Sequence, residues 1–153
     1  MIAPILEGRA DVVLGSRLLG GDPRLGGMPW WKYRANRFLT WCENVVFGLR
    51  LAEYHTGYRA YTRRALESVD LERNADGFIF DQEIVAQMVE SRARLMEVAV
   101  PTRYFPEASS ASFRASVIYG LGILALLLRY TLHRLGLWRQ ARFTAHAARY
   151  HQA

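Results

Sequence analysis

The chain has 153 residues, the size of one domain, and its hydrophobic share of 51% supplies a core that excludes wholesale disorder. Its net charge is +6, and Lys32 is the only lysine among 20 basic side chains. That points to an anionic partner, because guanidinium forks meet phosphate or carboxylate oxygens two at a time; high-GC codon usage would give the same arginine bias. The lone Cys42 excludes an internal disulfide framework and a cysteine-built zinc site.

Ile2 to Glu7 reads as the last turns of a helix stopped by Gly8, too short and too acidic for a signal peptide. Asp11 to Arg17 reads as a buried strand ending in a turn. A helix end followed at once by a core strand looks like a chain cut into. Leu18 to Gly27, with four glycines, a proline and an aspartate, is a loop, either a mobile one or a plain linker. Pro29 to Leu49 is a helix, with Trp31, Ala35, Phe38, Cys42, Val45, Val46 and Leu49 on its expected apolar stripe. Lys32, Arg34 and Arg37 fall off that stripe, as do Trp30 and Trp41, which suit an interface or a membrane boundary.

Glu53 to Leu66 gathers a glycine, arginines and three tyrosines between two apolar helical patterns. Gly57 has access to backbone angles closed to other residues and lets a ligand approach the chain. Residues 58–63 alternate at strand period and carry Arg59. The same pattern also fits an ordinary loop with a solvated arginine. A short helix over 64–69, a turn over 74–77 and an amphipathic helix from Phe80 follow. Asp81 and Glu83 are two apart, so at most one faces a given pocket unless the helix starts between them. Acid in a first turn is also favoured by the helix dipole alone.

Arg94 to Tyr104 reads as a strand whose far end Pro101 makes an edge. Residues 106–112 form a hydroxyl-rich loop with Ser112 as an N-cap. The 14 residues between Arg114 and Arg129 would rise ~21 Å as a helix, short of a ~30 Å bilayer core. An interfacial or core-packed helix is the expectation. Arg139, Arg142, His146 and Arg149 recur at helical spacing and predict a basic amphipathic tail or a frayed, solvated one. The chain has no Gly-x-Gly-x-x-Gly, no P-loop, no Asp-x-Asp and no serine elbow, and its four histidines lack metal-ligand spacing.

Four blocks together resemble the C-terminal half of family 2 glycosyltransferases of GT-A fold, and most of all the dolichyl- and polyprenyl-phosphate sugar transferases. They are Ala10-Asp-Val-Val-Leu-Gly-Ser-Arg17, Tyr54-His-Thr-Gly-Tyr-Arg59, Phe78-Ile-Phe-Asp-Gln-Glu83 and the stretch from Val100 to Ser110. Their order and spacing match over roughly residues 2–134, with Glu53 where the family has aspartate. The resemblance implies an α/β fold: a partial, Rossmann-like GT-A sheet with flanking helices over 1–110, then an apolar interfacial helix and basic tail over 111–153.

It also implies transfer of a sugar from a nucleotide-sugar to a polyprenyl phosphate, with inversion. The implied substrate-binding residues are Arg17, Arg34, Glu53, Gly57, Arg59, Arg103, Ser109 and Ser110, and the implied catalytic acids are Asp81 and Glu83. The family's donor-binding half, with its Asp-x-Asp ligands for Mg or Mn, has no counterpart in this sequence. The chain alone is therefore expected to be inactive, to hold no cofactor or metal of its own, and to meet a nucleotide-sugar only if that half is supplied. Its expected partners are the polyprenyl-phosphate lipid and the membrane surface, with a cytoplasmic, peripheral location. The competing reading is a non-catalytic membrane-surface or accessory module. No recognised nucleic-acid-binding pattern is present.

Overall fold

The computed structural model describes residues 1–101 and 113–144. Arg103, Ser109, Ser110, Ser112, His146 and Arg149 lie outside the described residues. The fold is mixed α/β. Three strands, β1 (Val12–Ser16), β2 (Arg59–Tyr61) and β3 (Leu95–Ala99), form one sheet in the order β2-β1-β3. β2 runs antiparallel to β1, pairing Val12 with Tyr61 and Leu14 with Arg59. β3 runs parallel to β1, pairing Val12 with Leu95 and Ser16 with Ala99. All five β1 residues are buried, which is why its sequence is a run of apolar and small residues rather than an alternation.

Five α-helices accompany the sheet among the described residues: α1 (Ala3–Leu6), α2 (Trp30–Phe47), α3 (Arg63–Glu67), α4 (Phe80–Glu90) and α5 (Phe113–Arg134). α2 ends at Gly48, whose φ of 70° is the left-handed stop that glycine adopts without cost. The Thr62 hydroxyl caps α3 by accepting from the Ala65 N–H at 3.1 Å. The core joins β1 to α4 and α5 through Val12, Leu14, Val85, Met88, Ile123 and Leu127. Aromatic rings run through it, with Phe47 6.0 Å from Tyr54 and 5.3 Å from Tyr130, which lies 5.3 Å from Phe143.

Three expectations are corrected. The buried face of α2 is Asn36, Leu39, Thr40, Glu43 and Phe47. The expected apolar stripe points largely outward, with Phe38 54% and Val45 63% exposed. The inward face is polar because the chain that α2 packs on offers polar partners, described below. The last helix is 22 residues, rising about 33 Å, because Phe113 to Ser116 and Arg129 to Arg134 extend the apolar run. It is the one described helix long and apolar enough to cross a membrane, by length and composition only. One face, Ile123, Leu126, Leu127 and Tyr130, is buried in the domain, while Val117, Ile118, Leu121 and Leu128 are exposed. Residues 139–144 do not continue as an α-helix but make a 3-10 turn, Ala141–Phe143, with Phe143 buried.

Candidate functional site

β1 delivers Arg17 at its carboxyl end. Just before it, the Gly15 N–H donates to the Tyr58 carbonyl at 2.8 Å, so segment 57–58 runs close beside the strand end. A Cβ on Gly15 would lie 3.1 Å from that carbonyl oxygen and 3.0 Å from Val100 Cγ1, which accounts for glycine there. Arg17 is then held by Glu53 in three ways. Its backbone N–H donates to Oε2 at 2.7 Å, its Nε donates to Oε1 at 2.8 Å, and its Nη2 also pairs with Oε1. Arg17 Nη2 also donates to the His55 carbonyl at 2.9 Å. The Glu53 side chain is fully buried while 21% of the Arg17 side chain is exposed, so a partly exposed arginine sits on a buried acid. From α2, Asn36 Nδ2 donates to Glu53 Oε1 at 2.7 Å, and Thr40 donates to Asn36 Oδ1 at 3.2 Å.

Arg59, on β2, is gripped by carbonyls. Its Nε donates to Thr56 at 2.7 Å, Nη2 to Tyr54 at 2.8 Å and Nη1 to Asp81 at 2.6 Å. Segment 53–56 therefore holds both arginines, and the structure brings Arg17 and Arg59 to one place. Lys32, at the start of α2, joins them: partial burial and repulsion by Arg17 push its ammonium below the usual lysine value. The loop before α2 is fastened by Arg24, which pairs with Asp22 and lies 5.0 Å above the Tyr33 ring.

The remaining sequence-derived residues divide. Arg34 is exposed on the first turns of α2. Gly57 is exposed, its φ lies outside the left-handed region, and a Cβ there would meet nothing within 4 Å. The expectation of a strained glycine is thus corrected: Gly57 borders open space. Asp81 and Glu83 part company, as their spacing requires. The Asp81 carbonyl holds Arg59, whereas Glu83 is buried, accepts from the Ala75 N–H at 2.6 Å and pairs with Arg142. Between α4 and α5 lies a groove of about 470 Å³. Phe78, Ile79, Ile118, Gly122 and Leu126 give it apolar walls, with the Glu83–Arg142 pair at its lining. Among the described residues no three His, Cys, Asp or Glu side chains gather to hold an ion. A divalent metal would need ligands from elsewhere.

Sequence reasoning missed a buried polar cluster beneath the arginines. His55 Nε2 lies 3.3 Å from Glu43 Oε2. His55 Nδ1 lies 3.4 Å from both Gln82 Nε2 and the Tyr119 hydroxyl. Gln82 donates to the Tyr119 hydroxyl at 2.9 Å and to the Tyr54 carbonyl at 3.1 Å. Burial pushes the Glu43 carboxyl well above the usual carboxylate range. Burial, with repulsion by Arg17 and Arg59, holds the His55 imidazole down to about 3. His55 is therefore neutral at pH 7, Glu43 is biased towards its protonated form, and the 3.3 Å contact is a long polar one, because neither Glu43 oxygen has a well-formed hydrogen bond among the described residues. The signal was present in sequence: Asn36, Thr40 and Glu43 recur at helical spacing, a polar stripe inside an otherwise apolar helix.

The shape of the site is thus a strand-end arginine on a buried acid, two further cations and, across Tyr119, an apolar groove. Comparison with known proteins bears on that shape. Glycosyltransferase AglJ of Haloferax volcanii is 28% identical over 128 residues, covering 84% of this chain and 40% of the relative. The chain is a distant relative of glycosyltransferases. The low-salt glycan biosynthesis hexosyltransferase Agl6 of the same organism is 30% identical over 113 residues, 72% of this chain and 26% of the relative. Polyprenol monophosphomannose synthase of Mycolicibacterium smegmatis is 26% identical over 97 residues, 62% of this chain and 36% of the relative. The chain thus spans between 26% and 40% of these relatives' lengths. No protein-family model matches it. No solved structure matches it either.

Proposed function

We propose that this chain is the acceptor side of a family 2, GT-A glycosyltransferase that moves a sugar from a nucleotide-sugar to a polyprenyl phosphate. The observation that carries this reading is the hold of segment 53–56 on both Arg17 and Arg59, with Lys32 near enough to Arg17 to feel its charge and Tyr119 as a shared wall between that segment and the apolar groove. The relative named a polyprenol monophosphomannose synthase supports the lipid-phosphate class.

A phosphate monoester is mostly dianionic at neutral pH, its second pKa being near ~6. As acceptor it needs no strong base. One of its oxygens attacks the anomeric carbon, and the nucleotide diphosphate leaves with the bonding pair. What this chain supplies is position and charge compensation, the larger contributions in such a transfer. Arg17, Lys32 and Arg59 hold the phosphate, Arg34, Arg103, Ser109 and Ser110 add to its surroundings, and the open side of Gly57 leaves room for it. Glu53 orients Arg17. Asp81 is the acid left to meet the sugar or the acceptor, since Glu83 is committed to Arg142. Donor binding and the Mg or Mn ion belong to a part of such an enzyme that this chain does not supply. The tail lies along the groove, and the exposed face of α5 rests on the cytoplasmic membrane surface, drawn there by arginines. A membrane-surface module without catalysis is the second reading, favoured by that same exposed apolar face.

Photo-crosslinking separates the two. A benzophenone-bearing isoprenyl phosphate should label Phe78, Ile79 and Ile118, and farnesyl phosphate should suppress the labelling where farnesol does not. Equal competition by farnesol would remove the phosphate site and leave the membrane module. Labelling scattered away from the groove would remove both the tail assignment and the site.

A further inference from the structure

Segment 53–56 has neither helix nor strand, yet Glu53, Tyr54 and Thr56 are buried. Its three consecutive carbonyls, Tyr54, His55 and Thr56, all accept from guanidinium groups: Arg59 takes the first and third, Arg17 the second. A strand would tie such carbonyls into a ladder; here the arginines hold them. Something must in turn hold the segment, because carbonyls that are free to rotate would leave the arginines without fixed acceptors. The His55 ring is the group placed to do it. It meets Glu43 of α2, Gln82 of α4 and Tyr119 of α5, and stands edge-on to the Tyr119 ring at 5.8 Å.

We propose that His55, seated on Glu43, Gln82 and Tyr119, is a positioning residue that sets the carbonyl rack and through it the two phosphate-facing arginines. The directional contact is that of the Tyr119 hydroxyl with Nδ1 at 3.4 Å, and Glu43 and Gln82 close the seat around it. An apolar side chain of similar size would fill the space without that directional contact, because dispersion is not directional and hydrogen bonds are. A buried polar cluster of this kind is costly when its groups are imperfectly paired, so its presence in a helix-packed interior calls for a role beyond packing. Drawing one group from each of three helices, it also ties α5, the helix with the exposed apolar face, to the arginines. His55 serves this role as the neutral ring, since a charge there would face Arg17 and Arg59 directly. The ligand in this inference rests on the phosphate reading above; the geometry does not.

The test uses the full chain with ¹⁵N-labelled arginine. The Nε–H signals of Arg17 and Arg59, assigned by their loss in Arg17→Lys and Arg59→Lys, should exchange slowly with water in the wild type. In His55→Leu, with circular dichroism confirming the fold, their exchange should speed at least about tenfold and farnesyl phosphate should bind about tenfold more weakly. His55→Gln, which restores a directional donor and acceptor, should recover most of both. Wild-type exchange of both signals in His55→Leu would overturn the proposal. Should that variant not fold, Tyr119→Phe, which removes one of the ring's partners, must speed the same two signals, and unchanged exchange there overturns it equally. If the wild type binds no isoprenyl phosphate, the phosphate reading fails, while the exchange comparison still decides the role of His55.

Discussion

Above about pH 6.5 the fold should lose about 1.4 kcal/mol of stability per pH unit for as long as the folded Glu43 carboxyl stays protonated, and Glu43→Gln should abolish that slope. The reasoning starts from the buried pair. In the unfolded chain Glu43 ionises above its ordinary 4.5, but in the fold burial raises that value well above it. Over that interval the folded state binds one proton more, so stability falls with rising pH by about 1.4 kcal/mol per unit. His55 acts oppositely. Its folded value is about 3 against an ordinary 6.5, so over that interval the unfolded state binds the extra proton and stability rises with pH. From 4.5 upward the two slopes oppose each other wherever both apply. Above 6.5 only Glu43 remains, and the loss continues for as long as its carboxyl stays protonated. Glutamine keeps the shape and removes the titration, so the variant should be level above neutrality and more stable than the wild type there. Urea unfolding followed by far-ultraviolet circular dichroism, at several pH values on either side of neutrality, measures both profiles. A wild-type profile with no slope that Glu43→Gln removes would refute the raised Glu43 carboxyl.

Three further outcomes follow from other contacts. Glu53→Gln leaves the Arg17 guanidinium without its buried carboxylate and should cost about 3–5 kcal/mol in the same urea assay, the usual penalty for breaking a buried pair. Gly15→Ala places a Cβ 3.0 Å from Val100 and 3.1 Å from the Tyr58 carbonyl, so β1 or its neighbour must shift; a loss of about 1–3 kcal/mol in chemical melts is expected. Arg94 holds the Asp11 carboxyl down to about 2 through side-chain and backbone hydrogen bonds, a stabilisation present above the ordinary 3.8 and lost as pH falls through about 2. The Arg94 side chain is 56% exposed, so solvent screening keeps the effect of Arg94→Ala at neutral pH small, read as a slight drop in Tm that vanishes in acid.

The strands and helices were legible where local pattern matches the burial they reach. Val12 to Leu14 is an unbroken apolar run and is the central strand; Pro29 and Gly48 bracket α2 to within a residue or two. The inward face of α2 was misread, although the spacing of its polar residues was there in the sequence. Hydrophobic periodicity assumes that the packed side is the greasy side, and here the packed side carries Asn36, Thr40 and Glu43 because it meets Glu53 and His55. Arg17 and Arg59 could be singled out as candidate ligands, Arg59 from its place beside a glycine and Arg17 through the family resemblance. That one four-residue segment holds both could not, because their hydrogen bonds run to backbone carbonyls, which leave no residue-type signature. Glu43 and His55 were invisible as a pair for a related reason: 12 positions separate them, and only the packing of α2 on segment 53–56 joins them.

The most direct measurement is calorimetric titration of the chain with farnesyl phosphate and with farnesol, repeated on Lys32→Ala and Arg17→Ala. The phosphate should tighten binding at least about tenfold over the alcohol, and each substitution should erase most of that difference while leaving farnesol binding unchanged. Equal affinity for the two ligands in the wild type, or an undiminished preference in both variants, would contradict a phosphate grip built on these cations.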